Sequence, residues 1–212
     1  MSAEHQSTDS KNEQAADARR GYQPLLEELL QLYPNRLRNP PAWRSGYDEV
    51  AYLAHGWYLR CHRGIQAILL LDPAGFAEEA APIRRSIIEH ALALQWLAAE
   101  GNKILDTVAR GHAFDAKNRG AAVSAAGWTS VDLAQIEKII ANIDPDNRDA
   151  HNDQMLHFAQ RLASYGDKHT RPGYLAEAGR SHPSYESAAC YVEQPSGFLL
   201  AQSRDAVWQV PF

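Results

Sequence analysis

The sequence predicts an all-α protein: a single domain of about six to eight helices packed as a bundle. Three observations lead there. Apolar residues recur at three- and four-residue steps in most segments. No stretch alternates with the period of two that a half-buried strand requires. Proline, glycine and aspartate cluster between the periodic segments, where helices must stop. The chain has 212 residues, 45% hydrophobic and 22% charged, the make-up of an ordinary globular domain.

Residues 1 to 20, "MSAEHQSTDSKNEQAADARR", are polar and carry no apolar core of a secretory signal. They are expected to form a disordered tail, with a helical domain over 21–212. "YQPLLEELLQLY" is a short amphipathic helix that Pro34 ends. The adjacent prolines of "RNPPAWRSG" then demand a loop. "YDEVAYLAHGWYLRCHRGIQAILLLD" is a long helix, with Val50, Leu53, Trp57, Cys61, Ile65 and Ile68 forming one apolar stripe. "DPAG" closes it. The next helix is expected to start near Phe76, and Pro82 either kinks it or marks its true first turn. Beyond Gly101, "KILDTVARGHAFDAKNRG" is a more polar helix, and "WTSVDLAQIEKIIANI" is another. "DPDNRDAHND" reads as a loop. "QMLHFAQRLASYG" and "PSYESAACYVE" read as short helices, with "DKHTRPGYLAEAGRSH" as the stretch between them. The tail "GFLLAQSRDAVWQVPF" has the composition of a last helix.

"RRSIIEHALALQWLAAE" poses the functional question. At 100° per residue, Arg85, Glu89, Leu92 and Trp96 share one stripe, while Ile83, Ile87, His90, Leu94 and Leu97 lie on another face. A helix apolar on several faces is central in its bundle, so Arg85 and Glu89 need partners. Beside ordinary surface exposure, two readings stay open. One is a structural ion pair between them, one helical turn apart. The other is the polar floor of a cleft, where the arginine holds an anion and the glutamate orients it. The loop-rich cluster "YGDKHTRPGY" with "RSHPSY" brings Tyr174, Arg180, His182 and Tyr185 together as candidate binding residues. The same "SHPSY" also serves as plain helix-start architecture.

Other chemistry is excluded by spacing. His55 and His62 are seven residues apart, too far for one metal on one helix, and neither HExxH nor CxxC occurs, so no metal site is expected. Nothing calls for a cofactor: there is no phosphate-cradling glycine loop and no nucleophile elbow. The net charge of −5 argues against a broad nucleic-acid surface, though a local basic groove is compatible with it. No apolar run is long enough for a membrane span. Cys61 and Cys190 lack ligand spacing and read as idle thiols of a cytoplasmic protein.

Two resemblances follow from these segments. "AAPIRRSIIEHALALQWLAAEG" and "LASYGDKHTRPGYLAEAGRSHPSYESAACYV", with the polar helix "RGHAFDAKNRGAAVSAAG" between them, resemble the uncharacterised bacterial helical family of domain of unknown function 5677 over roughly residues 45–195. That resemblance implies an all-helical cytoplasmic protein, with Arg85, Glu89, His182 and Tyr185 as the matching polar positions. It implies no established activity. In addition, "RSIIEH" is similar to the Arg-x4-His signature of the HEPN ribonucleases. This implies a metal-independent ribonuclease of a toxin or phage-defence system, acting as a homodimer. Arg85 would stabilise phosphate charge, and His90 would move the proton of the 2′-hydroxyl. The sequence departs from that family at Ser86, where Asn, Asp or His is usual. The five-residue step also turns Arg85 and His90 about 140° apart on an ideal helix. The functional expectation is therefore a polar cleft around Arg85, Glu89 and the His182 element, binding a small ligand, RNA or a partner. A ribonuclease using Arg85 and His90, with Glu89 beside them, is the alternative. Trp128 and Trp208 would mark an exposed apolar patch if the chain were instead a subunit of a larger complex.

Overall fold

A computed structural model describes residues 22–31, 45–127, 149–183 and a few isolated positions beyond these. Every regular element among the described residues is helical, so the protein is all-α. Residues 22–31 form a first helical segment. The principal helices are α1 (Asp48–Leu71), α2 (Ala81–Glu100), α3 (Leu105–Ala125), α4 (Ala150–Met155), α5 (Phe158–Tyr165) and α6 (Thr170–Ser181), with a 3-10 turn Gly101–Ile104 joining α2 to α3.

Helix α1 fills the segment its apolar stripe predicts. It ends at Leu71, and the turn that follows closes at Gly75, whose φ of 87° is a left-handed conformation that side chains disfavour. Helix α2 begins at Ala81 and not near Phe76: residues 77–80 are turns, and Pro82 stands in the first helical turn. A missing N–H costs nothing there, because the first four N–H groups of a helix lack intrahelical partners anyway. Gly101, at φ 58°, ends α2 in the left-handed conformation typical of a helix C-terminus.

Two further sequence expectations are corrected in the second half of the chain. The loop read over "DPDNRDAHND" gives way at Asp149 to helix α4. Asp149 Oδ1 accepts from the backbone N–H of His151 at 3.0 Å and of Asn152 at 3.2 Å. The continuous helix read over "QMLHFAQRLASYG" is broken at Leu156–His157, so α4 and α5 are separate. Trp128 and the segment after it to residue 148 (apart from Lys138 and Ala141), the tail from residue 192 with Trp208, and residues 1–20 lie outside the described residues.

The chain divides into two compact units. The first contains α1 from Leu59, α2 to Ile87 and α6 from Tyr174. There, Cys61 and Ile68 of α1 and Ala77, Ala80 and Ala81 are buried, and Gly64 lies so close to α2 that an added Cβ would meet Ile87 at 3.0 Å. Burial pushes the Cys61 thiol up to about 11, against a smaller lowering by Arg60, so it stays protonated and a poor nucleophile near neutrality.

The second unit contains α1 to Tyr58, α2 from Ile88, and α3 to α5. Its core is Trp96, Leu97, Ile104 and Met155, against which Val50, Leu53 and Trp57 of the predicted α1 stripe pack, together with Ala54. Asn152 is fully buried beside them. Its Oδ1 accepts from Trp96 Nε1 at 2.8 Å, and its Nδ2 donates to Asp149 Oδ2 at 2.8 Å. One aspartate thus caps α4 and orients the core amide. Its carboxyl is held below the usual range by the hydrogen bonds from the Asn152 backbone and side chain and from His151. A carboxylate with a lowered folded pKa adds stability above its unfolded pKa and loses it as pH falls through the folded value. Asp149→Ala is therefore expected to lower the melting temperature by a few degrees at pH 7. The gap to wild type should narrow below about pH 4, measured by melts at both pH values.

Candidate functional site

The first unit gathers charge around the start of α2. Consecutive residues of a helix point about 100° apart, so Arg84 and Arg85 meet different neighbours. Arg84 Nε donates to Glu177 Oε1 of α6 at 2.8 Å, and Nη1 donates to the Ala77 carbonyl at 2.9 Å. Asp72, at the end of α1, stands 3.8 Å from the same guanidinium. Burial works against the Arg84 charge, but the hydrogen bond and charge of Glu177 and the charge of Asp72 outweigh it, and its pKa is raised. Tyr22 of the first helical segment donates to Asp72 Oδ2 at 2.5 Å, tying that segment to the cluster. Arg180 pairs with Glu78 at 3.3 Å, and Tyr191 donates to Glu79 at 2.7 Å.

Arg85 makes a different contact. Its Nη1 donates to Nε2 of His182, just past the end of α6, and its guanidinium lies over the Tyr174 ring, 5.4 Å from the centroid. A guanidinium can only donate, so the ring nitrogen Nε2 is the acceptor in this contact. Arg85 is half-buried and His182 is exposed.

Helix α6 makes this meeting possible, and the sequence reading missed it by taking "TRPGYLAEAGRS" as a stretch between helices. Asp167 starts the helix. Its Oδ1 accepts from His169 N at 2.9 Å, Thr170 N at 2.8 Å and Thr170 Oγ1 at 2.7 Å. Pro172 falls in the first turn, where it is tolerated. At the other end, Ser181 Oγ donates to the Glu177 carbonyl at 2.6 Å. Tyr174, Glu177 and Arg180 follow at three-residue steps, and the helix delivers His182 immediately beyond its last residue.

Of the candidates drawn from the sequence, Arg85, Tyr174 and His182 are in mutual reach through Arg85, while Arg180 is engaged by Glu78. Glu89 and His90 are half-buried and belong to the second unit. There the Arg161 guanidinium, whose pKa burial lowers, is partly supported by the charge of Glu89. Arg161 also donates to the carbonyls of Met155 and Leu156, the latter at 3.0 Å. Tyr185 lies outside the described residues. The residues passed over in the sequence are Arg84, Asp72 and Glu177. No local pattern announces a pair separated by 93 positions.

Among the described residues, no group of three or more His, Cys, Asp or Glu side chains could hold a metal ion, and no helix is long and apolar enough to cross a membrane. In the second unit, Arg110, Phe114, Asp153, Leu156 and His157 line a depression, with Arg110 and Asp153 paired at 2.5 Å. These features define an all-helical protein with charged clusters at its helix junctions. The chain belongs to the family of unknown function DUF5677, whose model matches residues 51–198. No curated protein and no solved structure matches it.

Proposed function

We propose that the chain is a binding module that takes an anionic group at Arg85 and His182, on a small ligand or on RNA. The observation that carries this reading is the contact between a permanent cation and a histidine that can become one. Such a pair gains most from an oxyanion placed against both. Tyr174 supports the reading by lying against the guanidinium, which holds a long side chain in one orientation. We take the protein to act in the cytoplasm, the compartment its composition suggests.

The alternative is a HEPN-like, homodimeric, metal-independent ribonuclease of a toxin or phage-defence system, using Arg85 and His90 with Glu89 nearby. It draws support from one feature: all three side chains are half-buried on one continuous helix. Incubation with RNA in EDTA separates the two. The binding module leaves RNA intact, and Arg85→Ala lowers anion affinity at least about tenfold, the scale of one lost charge-assisted hydrogen bond. Cleavage abolished by both Arg85→Ala and His90→Ala, in proteins that still fold, would establish the nuclease instead.

A further inference from the structure

The depression in the second unit opens between α3 and the junction of α4 with α5, and its volume is about 510 Å³. That is within the roughly 300–1,000 Å³ of small-ligand sites. It shares no residue with the Arg85 contacts. Two local features shape it. Helix α3 has a glycine at position 111, so Leu156 lies directly against the helix, where an added Cβ would meet Leu156 Cδ2 at 3.0 Å. The junction that carries Leu156 is tied down by Arg161, which donates to the Met155 carbonyl and, at 3.0 Å, to that of Leu156. Phe114 lines the depression while 66% exposed, so its ring is open to a ligand.

The charged residues of the lining do not cancel. Arg110 Nη2 donates to Asp153 Oδ1 at 2.5 Å and to Thr107 Oγ1 at 3.0 Å, so this cation is already committed. Thr107 Oγ1 donates to the same Asp153 Oδ1 at 3.3 Å. These contacts all fall on one oxygen of a carboxylate whose side chain is 31% exposed. Asp115 adds a second carboxylate, exposed on α3, and among the described residues no cation pairs with it. The lining thus sets two carboxylates and an open aromatic ring against one engaged guanidinium.

The geometry points to a site for a small organic ammonium ion with an apolar body, the ammonium held by the carboxylates of Asp115 and Asp153 and the body by Phe114 and Leu156. An anionic ligand would meet an excess of negative charge. A neutral apolar molecule would gain only the Phe114 and Leu156 contacts. A metal ion would leave both of those side chains unused, and among the described residues no group of three or more His, Cys, Asp or Glu side chains could hold one. An organic ammonium uses every part of the lining, because a cation is drawn to a ring face as well as to a carboxylate.

The test uses the full chain at pH 8, above the ordinary histidine range, because His157 completes the lining. Three probes carry a phenyl ring on the same short chain and differ in charge: phenethylammonium, phenethyl alcohol and phenylacetate. Binding is followed by the backbone amide resonances of residues 110–115 and 153–157. Phenethylammonium should shift them with millimolar affinity, as suits a ligand of this size. It should bind at least about threefold tighter than the alcohol, since an exposed charge pair or a cation–ring contact contributes about two- to fivefold. Phenylacetate should bind more weakly than the alcohol. Asp115→Asn should reduce the preference for ammonium over alcohol by about two- to fivefold. Phe114→Leu keeps apolar bulk but removes the ring, and should weaken ammonium binding by a similar factor. Both positions are exposed on α3, so both variants should fold, and amide spectra unchanged away from the lining verify that.

Equal binding of ammonium and alcohol, tighter binding of phenylacetate, or an ammonium preference left intact in folded Asp115→Asn overturns the inference. So does ammonium binding unaltered by Phe114→Leu. Amide shifts that avoid the lining, or no shift at tens of millimolar, overturn it as well.

Discussion

Trp96→Ala is expected to cost about 3–5 kcal/mol, the range for truncating a buried Trp or Phe. At roughly 2–4 °C per kcal/mol for a chain of this size, the melting temperature should fall by about 6–20 °C. The indole is 2% exposed and sits among Leu97, Ile104 and Met155. Residues from α1, α2 and the turn into α3 meet on it, so its removal leaves a cavity with walls on several elements. It also removes the donor to Asn152, an amide with no exposed surface. Two further variants separate packing from hydrogen bonding. Trp96→Phe keeps most of the apolar volume but leaves Asn152 Oδ1 without that donor, a loss of about 1–3 kcal/mol. Adding Asn152→Leu to Trp96→Phe removes both polar partners. It should recover part of that loss, because a buried pair replaced on both sides costs less than one broken on one side. Thermal melts of the three variants measure each step. A Trp96→Ala protein that melts within a degree or two of wild type would show that this indole is not the centre of the second unit's core.

The elements read correctly from the sequence are those whose own composition fixes them. Helix α1 has one uninterrupted apolar stripe and a Pro-Gly stop, and its observed ends fall within a residue of the quoted segment. Pro82 was ambiguous for a physical reason: proline suits a first turn and breaks an interior, and only the position of the preceding turns decides between them. Helix α6 was hidden because Pro172, Gly173 and Gly179 are all poor helix formers. Intrinsic propensity is a weak prior that tertiary contacts override. Here those contacts are Asp167 capping the start, Ser181 closing the end, and the Glu177 bond to Arg84 between them.

The site was half legible on the same grounds. A pattern search at helical spacing singles out Arg85 because Glu89 follows one turn later. It says nothing of Arg84, whose partners come from other helices. His182 and Tyr174 were picked out by local richness in polar and aromatic groups, and both do lie against Arg85. The sequence offered Glu89 as one candidate partner for that arginine, and the charge of Glu89 also supports Arg161.

The two neighbouring arginines should therefore respond oppositely to mutation, and Arg84→Ala is the second large effect expected. Its side chain is 21% exposed, and that of Glu177 is 11% exposed, so water screens their 2.8 Å pair poorly. Removing the guanidinium leaves the Glu177 carboxylate hidden. Among the described residues, Glu177 Oε2 and Asp72 Oδ1 already make no hydrogen bond. Breaking one side of a buried pair costs about 3–5 kcal/mol, and the residual exposure places this case near 3, a fall of roughly 6–12 °C. Arg84→Met combined with Glu177→Leu should recover much of that, since apolar replacement of both partners of a buried pair is often close to neutral. Arg85→Ala should shift the melting temperature by only a few degrees, because its contacts include an exposed histidine and a ring face, and no carboxylate as buried as Glu177 is known to depend on it. Its cost should appear in anion binding, which Arg84→Met/Glu177→Leu should leave in place. A ranking in which Arg85→Ala destabilises more than Arg84→Ala would exchange the two roles, making Arg85 the scaffold and removing the basis of the binding site.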